Sequence, residues 1–138
     1  PRVSARANLG TYKQADLILS ASTPLASGFR VGAAFARLSR GGFGKNLTTG
    51  RENYNRDLWA TRGTVELEPN DRIFFRLSGD YTWDNSNERG GHRLIPNQCL
   101  IPSCRTLSLP VLIDEYDSRG SLVDPEQKVK GGGVALHA

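Results

Sequence analysis

The side chains that could do chemistry are serines, histidines, cysteines and clustered acids, and their spacing argues against most of it. Ser4, Ser20 and Ser22 fall in strand-like stretches with no histidine nearby. Neither His92 nor His137 has an acid or nucleophile beside it in the sequence, so no hydrolytic triad is visible. Gly41-Gly42-Phe43-Gly44-Lys45 invites a phosphate-loop reading but lacks the G-x-x-x-x-G-K-S/T spacing, and it reads as a flexible loop. Asp114, Glu115, Asp117, Asp124 and Glu126 do not follow the D-x-D/N-x-D/N-G order of a calcium loop and read as solvated acids. Gly131-Gly132-Gly133 suits a bulge or close packing better than a cofactor loop. The expectation is a protein that is not an enzyme and carries no cofactor or metal.

Cys99 and Cys104 stand close together in an irregular stretch, and two histidines far apart cannot complete a zinc set with them. A small disulfide in an oxidising compartment is predicted, against the alternative of two unpaired loop thiols. The intervening Leu-Ile-Pro-Ser can turn at Pro102 and bring the Cα atoms within the required distance of about 4.4–6.8 Å. Alkylation before and after reduction is expected to label these thiols only after reduction.

The chain has 138 residues and a formal net charge of +4. That length allows one domain with a modest core. Fourteen of the eighteen positive residues are arginines, scattered along the whole chain. A nucleic-acid binder more often gathers its charge into a patch with stacking aromatics, so no nucleic-acid partner is expected. The longest uncharged run with apolar residues, Leu17 to Phe29, is thirteen residues broken by Ser, Thr, Pro and Gly. A membrane-spanning helix needs about 20 mostly apolar residues, and that class is excluded. The chain opens on Pro1 and contains no Met, so it is expected to be a processed or excised piece.

The elements that must position these residues are strands. Fifteen glycines, repeated apolar–polar alternation and the lack of a 3.6-residue period predict an all-β chain. The predicted strands are Arg2–Leu9, Asp16–Thr23, Phe29–Ser39, Leu58–Leu67 and Arg72–Trp83, with a weaker sixth from Lys128 to the end. Alternation sets Leu17, Leu19, Ala21 and Thr23 against Asp16, Ile18, Ser20 and Ser22 in the second. In the fifth it sets Ile73, Phe75, Leu77, Tyr81 and Trp83 against Arg72, Arg76, Ser78, Asp80 and Thr82. Of ten charged residues in the first five strands, only Arg37 leaves the polar face. One continuous apolar face and one Arg-rich polar face result.

A soluble sandwich alternates too, so length and connections have to separate the environments. The third and fifth strands reach eleven and twelve residues, against a usual ~5–6 in soluble sheets and ~9–11 for a tilted strand crossing a bilayer. Short turns at Pro24–Gly28 and Glu68–Asp71 fall at one end of a meander. Long loops, Arg40–Asp57 and Asp84–Gln127, fall at the other. That asymmetry suits an outer-membrane barrel, with Trp59, Tyr81 and Trp83 as an interfacial girdle. Plain core aromatics of a soluble sheet are the alternative. A three-residue loop at Pro69-Asn70-Asp71 predicts Glu68 opposite Arg72, Leu67 opposite Ile73, Val65 opposite Phe75 and Trp59 opposite Tyr81.

Several segments resemble TonB-dependent outer-membrane receptors. Gly10-Thr11-Tyr12-Lys13-Gln14-Ala15-Asp16, followed by Ser22-Thr23-Pro24-Leu25, resembles their early "G-S/T-Y" turn, strand and "G/T-P-L" turn. The run from Arg37 through Gly41-Gly42-Phe43-Gly44-Lys45-Asn46-Leu47-Thr48-Thr49-Gly50 is similar to their "R-D-G-F/Y-x-x-N-x-x-T-G" loop. Arg62-Gly63-Thr64-Val65 and Leu77-Ser78-Gly79-Asp80-Tyr81 resemble the pair of strands that follows. The resemblance implies a barrel of about 22 strands closed by a plug and importing scarce nutrients such as ferric siderophores with energy passed through TonB.

Neither a plug nor a TonB-contacting box is visible in residues 1–138, so the chain reads as an antiparallel up-and-down meander of about six strands. It would be a segment of that larger transmembrane barrel domain, in the outer membrane of a Gram-negative bacterium. The implied partners are outer-membrane lipid, the rest of the parent barrel and plug, TonB through the parent, and a ferric siderophore or other small nutrient. Arg30, Arg62, Glu66, Arg76 and Asp80 are the expected lumen-facing charges, either contacting plug or ligand or forming a cross-strand ladder. Arg89, His92 and Arg93 are the loop candidates for ligand contact. The competing class is a soluble β-sandwich binding module with its apolar face against a second sheet.

Overall fold

The computed structural model describes residues 1–87, 92, 111–119 and 128–138. The alternating stretches form β1 (Arg2–Gly10), β2 (Gln14–Ala26), β3 (Phe29–Arg40), β6 (Arg56–Asn70), β7 (Ile73–Asp84) and β8 (Val129–His137). They make one antiparallel sheet in the order β1-β2-β3-β6-β7-β8, a plain meander. A two-residue pair, β4 (Gly44–Lys45) and β5 (Glu52–Asn53), forms a separate small hairpin inside the first long loop. The stretch at Gly41–Lys45 is therefore not the flexible loop expected from its glycines. Gly42 and Gly44 are small because backbone passes close by: a Cβ on Gly42 would meet Asn53 O at 2.3 Å.

Register carries each face across the sheet without a break. Leu19, Phe35, Thr61 and Tyr81 form one cross-strand row, and Val31, Val65, Leu77 and Leu136 another. Among the described residues no hydrophobic side chain is buried. Leu67, Phe75, Leu77, Tyr81 and Trp83 are each between 41% and 49% exposed, all on the same face. Among the described residues the sheet is a single layer, and no second layer covers its apolar face.

The register of β6 with β7 corrects the predicted one by two residues. Leu67 lies opposite Phe75, Val65 opposite Leu77 and Trp59 opposite Trp83, while Asn70 pairs with Ile73 across a two-residue turn at Asp71 and Arg72. Pro69 explains the difference. It has no N–H to give the ladder, so Glu68 and Pro69 bulge opposite the single residue Phe74, and pairing resumes at Asn70. The Asn70 side chain then accepts from Arg72 N at 3.1 Å, closing the tighter turn. A slip of two residues preserves the face of every side chain, which is why the two-faced pattern survives the change.

The two short turns touch. Glu68 N donates to Gly28 O at 2.6 Å. Gly28 has φ +67°, and a Cβ there would meet Glu68 O at 2.1 Å. Gly28→Ala is therefore expected to cost more than about 1 kcal/mol, read as a lowered thermal midpoint in detergent. Gly63→Ala, with nothing within 4 Å of the added methyl, is the control.

Candidate functional site

The five charges expected on the polar wall share one face of the sheet, above a trough of about 550 Å³ that includes Arg30, Arg62 and Glu66 in its lining. Three of them form a ladder. Glu66 accepts from Arg30 Nε at 3.0 Å and from Arg76 Nε at 2.8 Å, and Arg30 Nη2 also reaches Glu68 at 3.0 Å. These groups are solvated, so the ladder fixes side-chain direction more than it stabilises the fold, and salt weakens it. Arg62 and Asp80 stand opposite each other in register, yet among the described residues neither closes an ion pair.

Of the loop candidates, His92 is drawn into the structure: its Nδ1 lies 3.3 Å from Asp117 O. Arg89 and Arg93 lie outside the described residues, as do Cys99 and Cys104 and their predicted disulfide. Of the acids, Asp124 and Glu126 lie outside the described residues, and Asp114 and Asp117 are not merely solvated. Asp117 Oδ1 accepts from Lys45 N at 2.8 Å, and Asp114 Oδ1 accepts from Tyr116 N at 2.9 Å. No cluster of His, Cys, Asp and Glu able to hold a metal ion occurs among the described residues.

Sequence reasoning missed a second cavity. At the long-loop end, on the polar side of the sheet, a vestibule of about 1040 Å³ is lined by Arg40, Phe43, Tyr54, Asn55 and Arg56, among others. Phe43 and Tyr54 stack with centroids 4.8 Å apart and planes 11° from parallel. The Arg40 guanidinium lies 5.0 Å from the Phe43 centroid and donates from Nη2 to Tyr54 O at 2.8 Å. Arg56 reaches Asp16, which is buried and also accepts from Gln14 Nε2 at 2.7 Å. Tyr54 sits at φ +63°, an uncommon conformation for a residue with a side chain. The sequence hints only at Phe43, through its place in the Gly-rich loop; the left-handed turn at Tyr54 has no residue signature.

Tyr12 and Tyr116 complete the aromatic cluster, at 5.7 Å and 5.0 Å from Phe43. A hydrogen bond to the Glu115 carboxylate, reinforced by its charge, raises the Tyr116 phenol above its ordinary pKa. Stacked rings beside two guanidinium groups can hold a planar, anionic small molecule.

On the opposite, apolar face, the row Arg37–Trp59–Trp83–Lys130 crosses four strands at the long-loop end. Arg37 lies 4.6 Å over the Trp59 ring and Lys130 lies 5.0 Å over Trp83. Arg37 also pairs with Asp57. The exception in the charge pattern thus sits at the edge of the apolar band, not in its middle. The chain matches no protein-family profile, no curated protein and no solved structure.

Proposed function

We propose that this chain is part of an outer-membrane TonB-dependent receptor that imports a scarce nutrient, a ferric siderophore or similar small ligand. The observation that carries the reading is the unpartnered apolar face, bounded at the long-loop end by paired tryptophans and cations. From Ile73 to Trp83 is ten residue steps, about 34 Å of extended strand at ~3.4 Å each. Tilted by about 40°, that length covers about 26 Å, close to the ~25 Å apolar band of an outer-membrane barrel. Short turns at one end, long loops at the other and a polar second face agree with it.

In this reading lipid covers the apolar face and the parent's plug meets the ladder of Arg30, Glu66 and Arg76. The vestibule at Phe43, Tyr54 and Arg40 meets the ligand, and TonB acts on the parent elsewhere. Among the described residues β1 and β8 each carry one unpaired backbone edge. Each unsatisfied group costs several kcal/mol in hydrocarbon, so both edges pair with further strands of the parent. Flotation with phospholipid vesicles after detergent removal tests the reading. The chain should rise with the lipid; recovery as a soluble monomer in the dense fraction favours a sandwich module.

A further inference from the structure

The first and last long loops are joined by a short docked segment. Ser118 N donates to Lys45 O at 2.9 Å, Leu47 N donates to Ser118 O at 2.8 Å, and Asn46 and Ser118 are parallel bridge partners. Asn53 Nδ2 donates to Ser118 Oγ at 2.8 Å, and both residues are buried. The approach is closest at Gly44, where a Cβ would meet Tyr116 O at 2.0 Å. From this backbone Tyr116 sets its ring nearly perpendicular to Phe43 and Tyr54, with centroids at 5.0 and 6.2 Å. Those two rings line the vestibule.

Apart from the Tyr116 ring, the attachment is polar and local. No hydrophobic residue between Val111 and Arg119 is buried, Tyr116 is 44% exposed, and Ile113 is fully exposed. A segment held by a few hydrogen bonds and one half-covered ring opens at a free energy well below that of the sheet beneath it. We propose that Asp114–Arg119 is a strap that docks reversibly on the β4–β5 hairpin and, through Tyr116, sets the aromatic wall of the vestibule. Its docking stands independently; only its consequence for ligand binding rests on the vestibule being the ligand site. By linkage, a ligand that binds better to the assembled wall favours the docked strap, and the docked strap favours that ligand equally.

Amide hydrogen exchange on the whole chain in detergent micelles tests the proposal. In the unaltered chain the amides of Leu47 and Ser118 should exchange faster than those of the β3–β6 ladder. Gly44→Ala forces the Tyr116 carbonyl away and should speed exchange at Leu47 and Ser118 by at least about tenfold, leaving the ladder unchanged. Ser118→Ala removes only the buried bond to Asn53 and should act in the same direction with a smaller effect. Equal protection of strap and ladder, no change in Gly44→Ala, or a loss spread over all six strands would overturn the strap. Failure of vesicle flotation would instead remove the receptor reading and leave these exchange rates as they are.

Discussion

In plain buffer the chain is expected to aggregate, and to hold its β structure only in detergent or lipid. No described hydrophobic side chain is buried, and most of the exposed apolar strand residues gather on one face. A contiguous apolar surface of this kind drives association unless something covers it. The edges of β1 and β8, unpaired among the described residues, add a template for edge-to-edge pairing. Size-exclusion chromatography and circular dichroism, with and without detergent, check the outcome. A soluble monomer with a cooperative thermal transition in buffer would move the assignment to a sandwich module. Stepwise conductance from the isolated chain in a planar bilayer would also contradict the receptor reading, because the six strands of the sheet among the described residues fall short of the ~8 that close the smallest single-chain barrels.

The second large effect is expected at Leu77. It lies four of the ten steps from Ile73 to Trp83, near the middle of the apolar band, in the row Val31–Val65–Leu77–Leu136. An arginine on the lipid face at that depth costs about 2–4 kcal/mol, so Leu77→Arg should lower vesicle partitioning by roughly 30- to 1,000-fold. Ser78, one residue on, faces the polar side opposite Thr64. Ser78→Arg should leave partitioning near that of the unaltered chain. Equal loss in both variants would show that the two faces do not differ in environment.

Much of the fold was legible because a period of two is a strong local signal. Ile73, Phe75, Leu77, Tyr81 and Trp83 alternate with polar residues whatever strand they pair with, so strand identity and face composition need no tertiary information. The same alternation assigned Arg30, Arg62, Glu66, Arg76 and Asp80 to one face. The asymmetry of short turns and long loops followed from counting the residues between strands.

Pairing partners, close approaches and loop contacts required the three-dimensional structure. Turn chemistry at Pro69-Asn70-Asp71 is compatible with more than one loop length, and the choice fell to the bulge that spares Pro69 a ladder hydrogen bond. Gly42 and Gly44 look like flexibility in sequence, yet they are small because Asn53 O and Tyr116 O pass too near for a Cβ. The vestibule assembles Arg40, Phe43 and Tyr54 from a strand end, a loop and a left-handed turn, and Tyr116 joins them from about sixty residues further along the chain. Alternation is a property of neighbouring residues, and the sequence determined it alone; register, loop docking and cavities are properties of distant residues meeting, and only the tertiary structure decided them.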